Sequence, residues 1–181
     1  MNELEIAGIL GKNVFTKKWF RGTYSRDEVH SIKPQAESIY IFNLSARGEG
    51  PGSHWTALIL SRECFPTYFD SSGDPPPLYF KEFNKLFENF PLCVYSNVQI
   101  QADSSKNCGQ YCCLISSYVA RGMTIVEARA PFGKDLLRND SILETKFRKE
   151  FANELSEKSN KNGGLSASKY RDTWLQNSRR Q

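Results

Sequence analysis

The stretch "CGQYCCLISSYVARG", residues 108 to 122, constrains the fold more than any other part of the chain. Tyr111, Leu114, Ile115, Tyr118 and Val119 recur at three- and four-residue intervals, which is the spacing of one face of an α-helix. The positions between them are small or weakly polar, and no Lys, Arg, Asp or Glu intervenes before Arg121. A helix without a charged face belongs inside a protein, so the rest of the chain has to enclose it. Gly122 suits the left-handed residue that ends such a helix.

The enclosing elements are legible on both sides. Residues 38–44 ("SIYIFNL"), 54–60 ("HWTALIL"), 67–70 ("TYFD") and 93–101 ("CVYSNVQIQ") are rich in β-branched and aromatic types and read as strands. The largely apolar run of 54–60 predicts a strand covered on both faces. "SSGDPPP" ends the third strand, because three consecutive prolines cannot donate to a sheet ladder. The aromatic spacing of residues 79–90 predicts an amphipathic helix stopped by Pro91, and residues 3–10 and 141–156 predict two more helices. "KKWFRGTYSRDEV" reads as irregular, with turn chemistry at Gly22 and at Ser25 to Asp27.

At 181 residues the chain suits one domain, here 1–156, with 157–181 as a linker and basic tail. An aromatic content of 13% argues against disorder over most of the length. Of the formal charge of +4, the whole surplus lies beyond residue 133, where 11 Lys and Arg face 7 Asp and Glu. That surplus reads first as a solvated surface and second as a contact for DNA or an acidic partner. Five cysteines form an odd set that does not suit a secreted disulfide framework, and the start "MNELEIAGILGKNVF" lacks the basic flank of a signal peptide. The expectation is an intracellular chain with reduced thiols and no membrane span. Within "KNGGLS", residues 161–166, the paired glycines read as linker, with self-cleavage as the weaker alternative.

Four residues stand at element ends. A hairpin turn centred near residue 62 would put His54 directly opposite Asp70, within cross-strand contact, so that the carboxylate can orient the imidazole. Cys108 opens the buried helix, where the helix N-terminus and a nearby imidazolium both favour thiolate. Gly109 leaves substrate a clear approach. Gln101 ends a strand seven residues earlier, and its amide with the Cys108 N–H could serve a developing oxyanion. Cys112 and Cys113, one turn further in, read as small core residues. His30 and His54 are far apart and no CxxC pair exists, so the chemistry expected here is nucleophilic and not metal-based.

"FRGTYSRDE" (20–28), "GPGSHWTALIL" (50–60), "YFDSSGDPP" (68–76) and "QADSSKNCGQYCC" (101–113), in that order and spacing, resemble the adenovirus endopeptidase family and its relatives in Polinton-type viruses and mobile elements. The resemblance implies an α+β thiol protease with a central mixed sheet packed against helices. It implies His54 as general base, Asp70 as orienting acid, Cys108 as nucleophile at the head of the buried helix, and Gln101 in the oxyanion hole. Trp55 belongs to the same pattern and would shield or stack on the imidazole. Substrates implied are viral precursor proteins of capsid or core, cut near glycine-containing motifs, by a monomer in the virion and host nucleus. No cofactor is needed for the chemistry; an activating viral peptide, held by a disulfide, and DNA are the regulators implied. Cys93 is either the thiol that would take that peptide or an ordinary strand-start core cysteine. Two other readings share the His, Asp, Gln, Cys-Gly order: a ubiquitin-like-modifier isopeptidase and an inactive binding relative.

Overall fold

The structure, a computed structural model, describes residues 1–50, 52–62 and 64–161, with side chains to residue 156. Helix α1 (Glu3–Leu10) leads into strand β1 (Phe20–Ser25), a 3₁₀ turn (Arg26–Ser31), β2 (Ser38–Asn43), β3 (Trp55–Leu60) and β4 (Thr67–Phe69). Helix α2 (Lys81–Phe87), β5 (Val94–Tyr95), α3 (Cys108–Ala120), α4 (Ile125–Arg129), α5 (Leu136–Glu150) and α6 (Ala152–Lys161) follow. The five strands form one mixed sheet in the order β1-β2-β3-β4-β5, parallel in the outer pairs and antiparallel in the two inner ones.

The period of two divides the sheet between two cores. Ile39, Ile41, Ala57, Ile59 and Phe69 face α1 and α3, whereas Tyr40, Phe42, Leu58, Leu60 and Tyr68 face α2 through Phe83, Leu86 and Phe87. Both faces of β3 are therefore covered, as its apolar run predicts. Helix α3 lies within the first core with Tyr111, Cys112, Cys113, Leu114, Ile115 and Val119 all inaccessible to solvent, and Gly122 adopts a φ of 91° just beyond its end.

Several elements depart from the sequence reading. Residues 20–25, expected to be irregular, form the edge strand β1. Gly22 makes a bulge in its pairing with β2, and the pairing outweighs the local turn signals. The turn expected at 25–27 is the capped start of the 3₁₀ segment, where Glu28 accepts from the Ser25 N–H at 2.9 Å. Helix α2 is shorter than 79–90, because the prolines hold its entry and residues 88–90 turn away. Of 93–101, only Val94 and Tyr95 pair as a strand; the chain then leaves the sheet, and the Ile100 and Gln101 N–H groups both donate to the Ser71 carbonyl.

Helix α5 starts five residues earlier than expected because Asp135 caps it, accepting from the Arg138 N–H at 3.0 Å. Buried Phe151 then breaks it from α6, which continues through residues 157–161 where a linker was expected. The remaining tail, including Gly163 and Gly164, lies outside the described residues. Helix α4 was not foreseen, although Thr124 and Glu127 form the capping box that announces it.

Gly73 fixes one turn sharply. Its φ is 80°, and a Cβ there would lie 2.6 Å from the Gln99 backbone nitrogen and 2.8 Å from the Val98 carbonyl carbon. No side chain fits without moving backbone. Gly73→Ala is expected to lower unfolding free energy by about 3 kcal/mol, read as a fall in the urea midpoint with unchanged slope. A midpoint equal to wild type would show that residues 98–99 yield freely.

Candidate active site

His54 stands just before β3, its carbonyl accepting from the Leu44 N–H at 3.0 Å, and Asp70 stands just after β4, 2% exposed. The β3–β4 pairing is Ala57 with Phe69, Leu58 with Tyr68 and Ile59 with Thr67. Continued outward, this register sets Asp70 opposite Thr56. The sequence expectation of His54 directly opposite Asp70 is therefore off by two residues, because the observed pairs set the symmetry axis of the hairpin one position later in the chain than expected. An even offset keeps both side chains on one face of the sheet, and the imidazole spans the diagonal. Its Nε2 lies 2.7 Å from Asp70 Oδ1. The same Oδ1 accepts the Ser72 N–H at 2.8 Å, a turn closed by the aspartate on its own backbone.

Cys108 comes from the opposite side of the sheet, as the first residue of α3, 8% exposed. The His54 ring lies beside its thiol. With Nε2 committed to Asp70, Nδ1 is the ring nitrogen left for it. Burial alone would raise the thiol, but the His54 ring, by polar contact and by its charge, and the backbone groups of Trp55 and Gly109 bring it below its usual value. Burial likewise pulls His54 down, and the contacts with Asp70 and Cys108 overcome it and raise the ring to about 10. Each shift favours the charged form of its own group, so thiolate and imidazolium stabilise one another. The position at the N-terminus of a 13-residue helix adds to this.

The other thiols lack this environment. Cys112, fully buried, has its thiol against the Trp55 carbonyl at 3.1 Å, and burial lifts it well above the usual range. Cys93 is half-buried just before β5 and packs against the second core, and burial pushes it up to about 11. At pH 7 a thiol of that strength is about 10⁻⁴ thiolate. One equivalent of iodoacetamide at pH 7 is expected to mark Cys108 and spare Cys93 and Cys112, as read by peptide mass mapping; first modification of Cys93 would contradict these environments.

Gln101 is buried, at 7% exposure. Its Oε1 accepts from the Ser71 hydroxyl at 2.7 Å and its Nε2 donates to the Ser105 carbonyl at 2.8 Å, leaving the second amide hydrogen for another acceptor. Gly109 does something other than expected. The space a Gly109 side chain would take is filled by Met1, Trp55 and Ile6, with Trp55 Cδ1 3.3 Å from the Cβ position. Gly109 thus admits α1 and the indole over the first turn of α3, rather than opening a path for substrate. The indole N–H donates to the Met1 carbonyl at 3.0 Å, which ties Trp55 to the N-terminal segment. Among the described residues, no group of three His, Cys, Asp or Glu side chains is arranged to hold a metal ion.

Ser71 escaped the sequence reading, and so did Asn139. The latter is 1% exposed and donates to the Ile100 carbonyl at 3.0 Å, bracing the segment that carries Gln101. "DSSG" carries a turn signal that points to Ser71, but nothing in the sequence joins Asn139 to a residue 39 positions away.

A mixed sheet with helices on both faces, and a thiol, imidazole and carboxylate brought together where α3 meets β3 and β4, define an α+β protein with the makings of a thiol nucleophile. The fold is similar to that of the ASFV pS273R protease. Two crystal structures of that protease align with 83% of this chain, at TM-scores of 0.53 and 0.52 and identities of 15% and 16%. The chain covers 67% and 66% of those chains, about two thirds of their length. The central domain of the uncharacterized Lpg1148 protein from Legionella pneumophila aligns with 86% of the chain, at 13% identity and a TM-score of 0.48. No protein-family model and no curated protein matches the sequence. No helix among the described residues is long and apolar enough to cross a membrane.

Proposed function

We propose that this chain is a cysteine endopeptidase that cuts viral precursor proteins near glycine-containing motifs, with Cys108, His54, Asp70 and Gln101 as its working residues. The observation that carries the reading is the hydrogen bond from His54 to buried Asp70, with Cys108 at the head of a buried helix beside the same ring, its thiol lowered and the ring raised. The likeness of fold to the ASFV pS273R protease supports it.

In this mechanism the Cys108 thiolate attacks the scissile carbonyl carbon, and the carbonyl electron pair moves onto oxygen. The Cys108 N–H and the second amide hydrogen of Gln101 stabilise that oxyanion. His54 gives its proton to the departing amine as the carbon–nitrogen bond breaks, leaving a thioester on Cys108. Water then attacks the thioester, His54 takes its proton, and collapse returns thiolate and releases the carboxylate product. Asp70 holds the ring and stabilises its positive charge throughout; two hydrogen bonds to its own Oδ1, from His54 and from the Ser72 backbone, fix the carboxylate for that task.

An activating viral peptide and DNA remain part of the proposal as regulators. Cys93 is the residue that would take the peptide. Val94 and Tyr95, at the sheet edge beside it, are 37% and 43% exposed. The test of the reading is a peptide ending in Gly-Gly with a thiol-reactive electrophile in place of the scissile carbonyl. Adduct on Cys108, retained when Cys112 and Cys113 are both serine, is the expected result. Folded protein that takes no adduct on Cys108 would return the chain to the class of binding modules. Cleavage of an intact ubiquitin-like conjugate, with precursor peptides left whole, would move the substrate class to isopeptides.

A further inference from the structure

The turn that carries the Asp70 carboxylate also grips Gln101. Ser71 is inaccessible to solvent. Its carbonyl accepts from the Ile100 and Gln101 N–H groups at 2.9 and 3.1 Å, and its hydroxyl donates to Gln101 Oε1 at 2.7 Å. Gly73, two residues on, lies against the backbone of residues 98 and 99, and a Cβ there would meet it at 2.6 Å. Asn139 and Tyr111 both donate to the Ile100 carbonyl, at 3.0 and 3.1 Å, from the other side. The Gln101 backbone is thus clasped from two directions, and one hydroxyl holds the oxygen end of its side chain.

The two ends of a primary amide are similar in size and opposite in polarity. Turned by half a rotation, the Gln101 side chain would present its oxygen where a donor is needed, and repel a developing oxyanion. The Ser105 carbonyl, which can only accept, takes one Nε2 hydrogen at 2.8 Å and so sets which end is which. We propose that Ser71 is a positioning residue: its hydroxyl, donating to Gln101 Oε1, is the second point that keeps the amide from swinging away, so that the other NH₂ hydrogen stays toward the reacting carbonyl and one turn, residues 70–73, orients both the histidine and the oxyanion donor. This inference rests on the protease reading.

The two functions of the turn separate experimentally. Alkylation of Cys108 by iodoacetamide displaces iodide from a saturated carbon and builds no oxyanion, whereas peptide hydrolysis does. Ser71→Ala is expected to lower kcat for an internally quenched peptide pool carrying Gly-Gly motifs by about 10-fold. That is a fraction of the 10²–10³-fold typical for losing an oxyanion donor outright. KM should stay within about twofold, and the rate and pH profile of Cys108 alkylation should match wild type.

In a Gln101→Ala background the same substitution should add nothing, because the group that Ser71 positions is already gone. Ser71→Cys, which keeps the volume but only a weak donor, should show the same split in smaller measure and serves if the alanine variant folds poorly. A Ser71→Ala kcat equal to wild type, a further loss in the Gln101→Ala background, or an altered alkylation profile would each overturn the proposal, the last by showing that Ser71 acts through Asp70. If wild type hydrolyses no peptide at all, the protease reading itself falls; any of the three outcomes above in a wild type that does cleave refutes this inference alone.

Discussion

Cys108→Ala is expected to abolish peptide hydrolysis, with kcat lowered by about 10⁴-fold or more, because no other group can form the covalent intermediate. Cys112 cannot substitute: it lies one helical turn further in, fully buried, with its thiol against the Trp55 carbonyl. Cys93 cannot either, since it sits before β5 at the sheet edge and burial raises its thiol to about 11. The fold should survive. Cys108 contributes one sulfur atom at the margin of the first core, and removing it costs about 1 kcal/mol, to be read in the urea midpoint. Hydrolysis by folded Cys108→Ala protein at the wild-type rate would locate the chemistry elsewhere.

His54→Ala is expected to act on two readouts at once. Hydrolysis should fall by about 10³-fold or more, since the group proposed both as general base and as proton donor to the leaving amine is lost. The pH at which Cys108 becomes reactive to iodoacetamide should rise. In the wild type the lowered thiol keeps its thiolate below the ordinary cysteine range and loses it only as acid protonates the thiolate–imidazolium pair. Removing the ring deletes two of the influences that lower the thiol and leaves burial, the largest, which raises it. The alkylation midpoint should therefore move upward, not downward, and the reaction at pH 7 should slow. An unchanged midpoint would mean that the helix terminus and the backbone groups of Trp55 and Gly109 suffice, and that His54 is not the partner of Cys108.

The contrast with Ser71→Ala is useful because all three substitutions fall in one small region. Loss of Cys108 removes both alkylation and hydrolysis. Loss of His54 shifts the first and nearly removes the second. Loss of the Ser71 hydroxyl should leave the first intact.

The parts of the fold legible in the sequence are those whose signal is local. The apolar periodicity of residues 108–122 announces a buried helix because a helix without a charged face has nowhere else to go, and α3 is buried along nearly all of its length. The apolar run of β3 announces a strand covered on both faces. The four residues proposed for the chemistry all stand at element ends, and element ends are what turn and capping residues mark. The elements misjudged are those decided by a distant partner. Strand β1 exists because β2 lies beside it, in spite of Gly22. Residues 96–101 leave the sheet because the Ser71 carbonyl takes two of their N–H groups.

By itself, then, the sequence determined strands β2, β3 and β4 and the buried helix, and which polar residues lie at their ends, because side-chain periodicity and turn chemistry act over a few residues. Only the tertiary structure decided the two-residue offset of the β3–β4 register, the use of Gly109 as a seat for Trp55 and α1, and the grip of Ser71 on Gln101. Those depend on which surfaces meet across 16, 54 and 30 positions of chain. The physical reason is that hydrogen bonds and close packing are fixed by distances of a few ångströms, and separation along the chain does not set them.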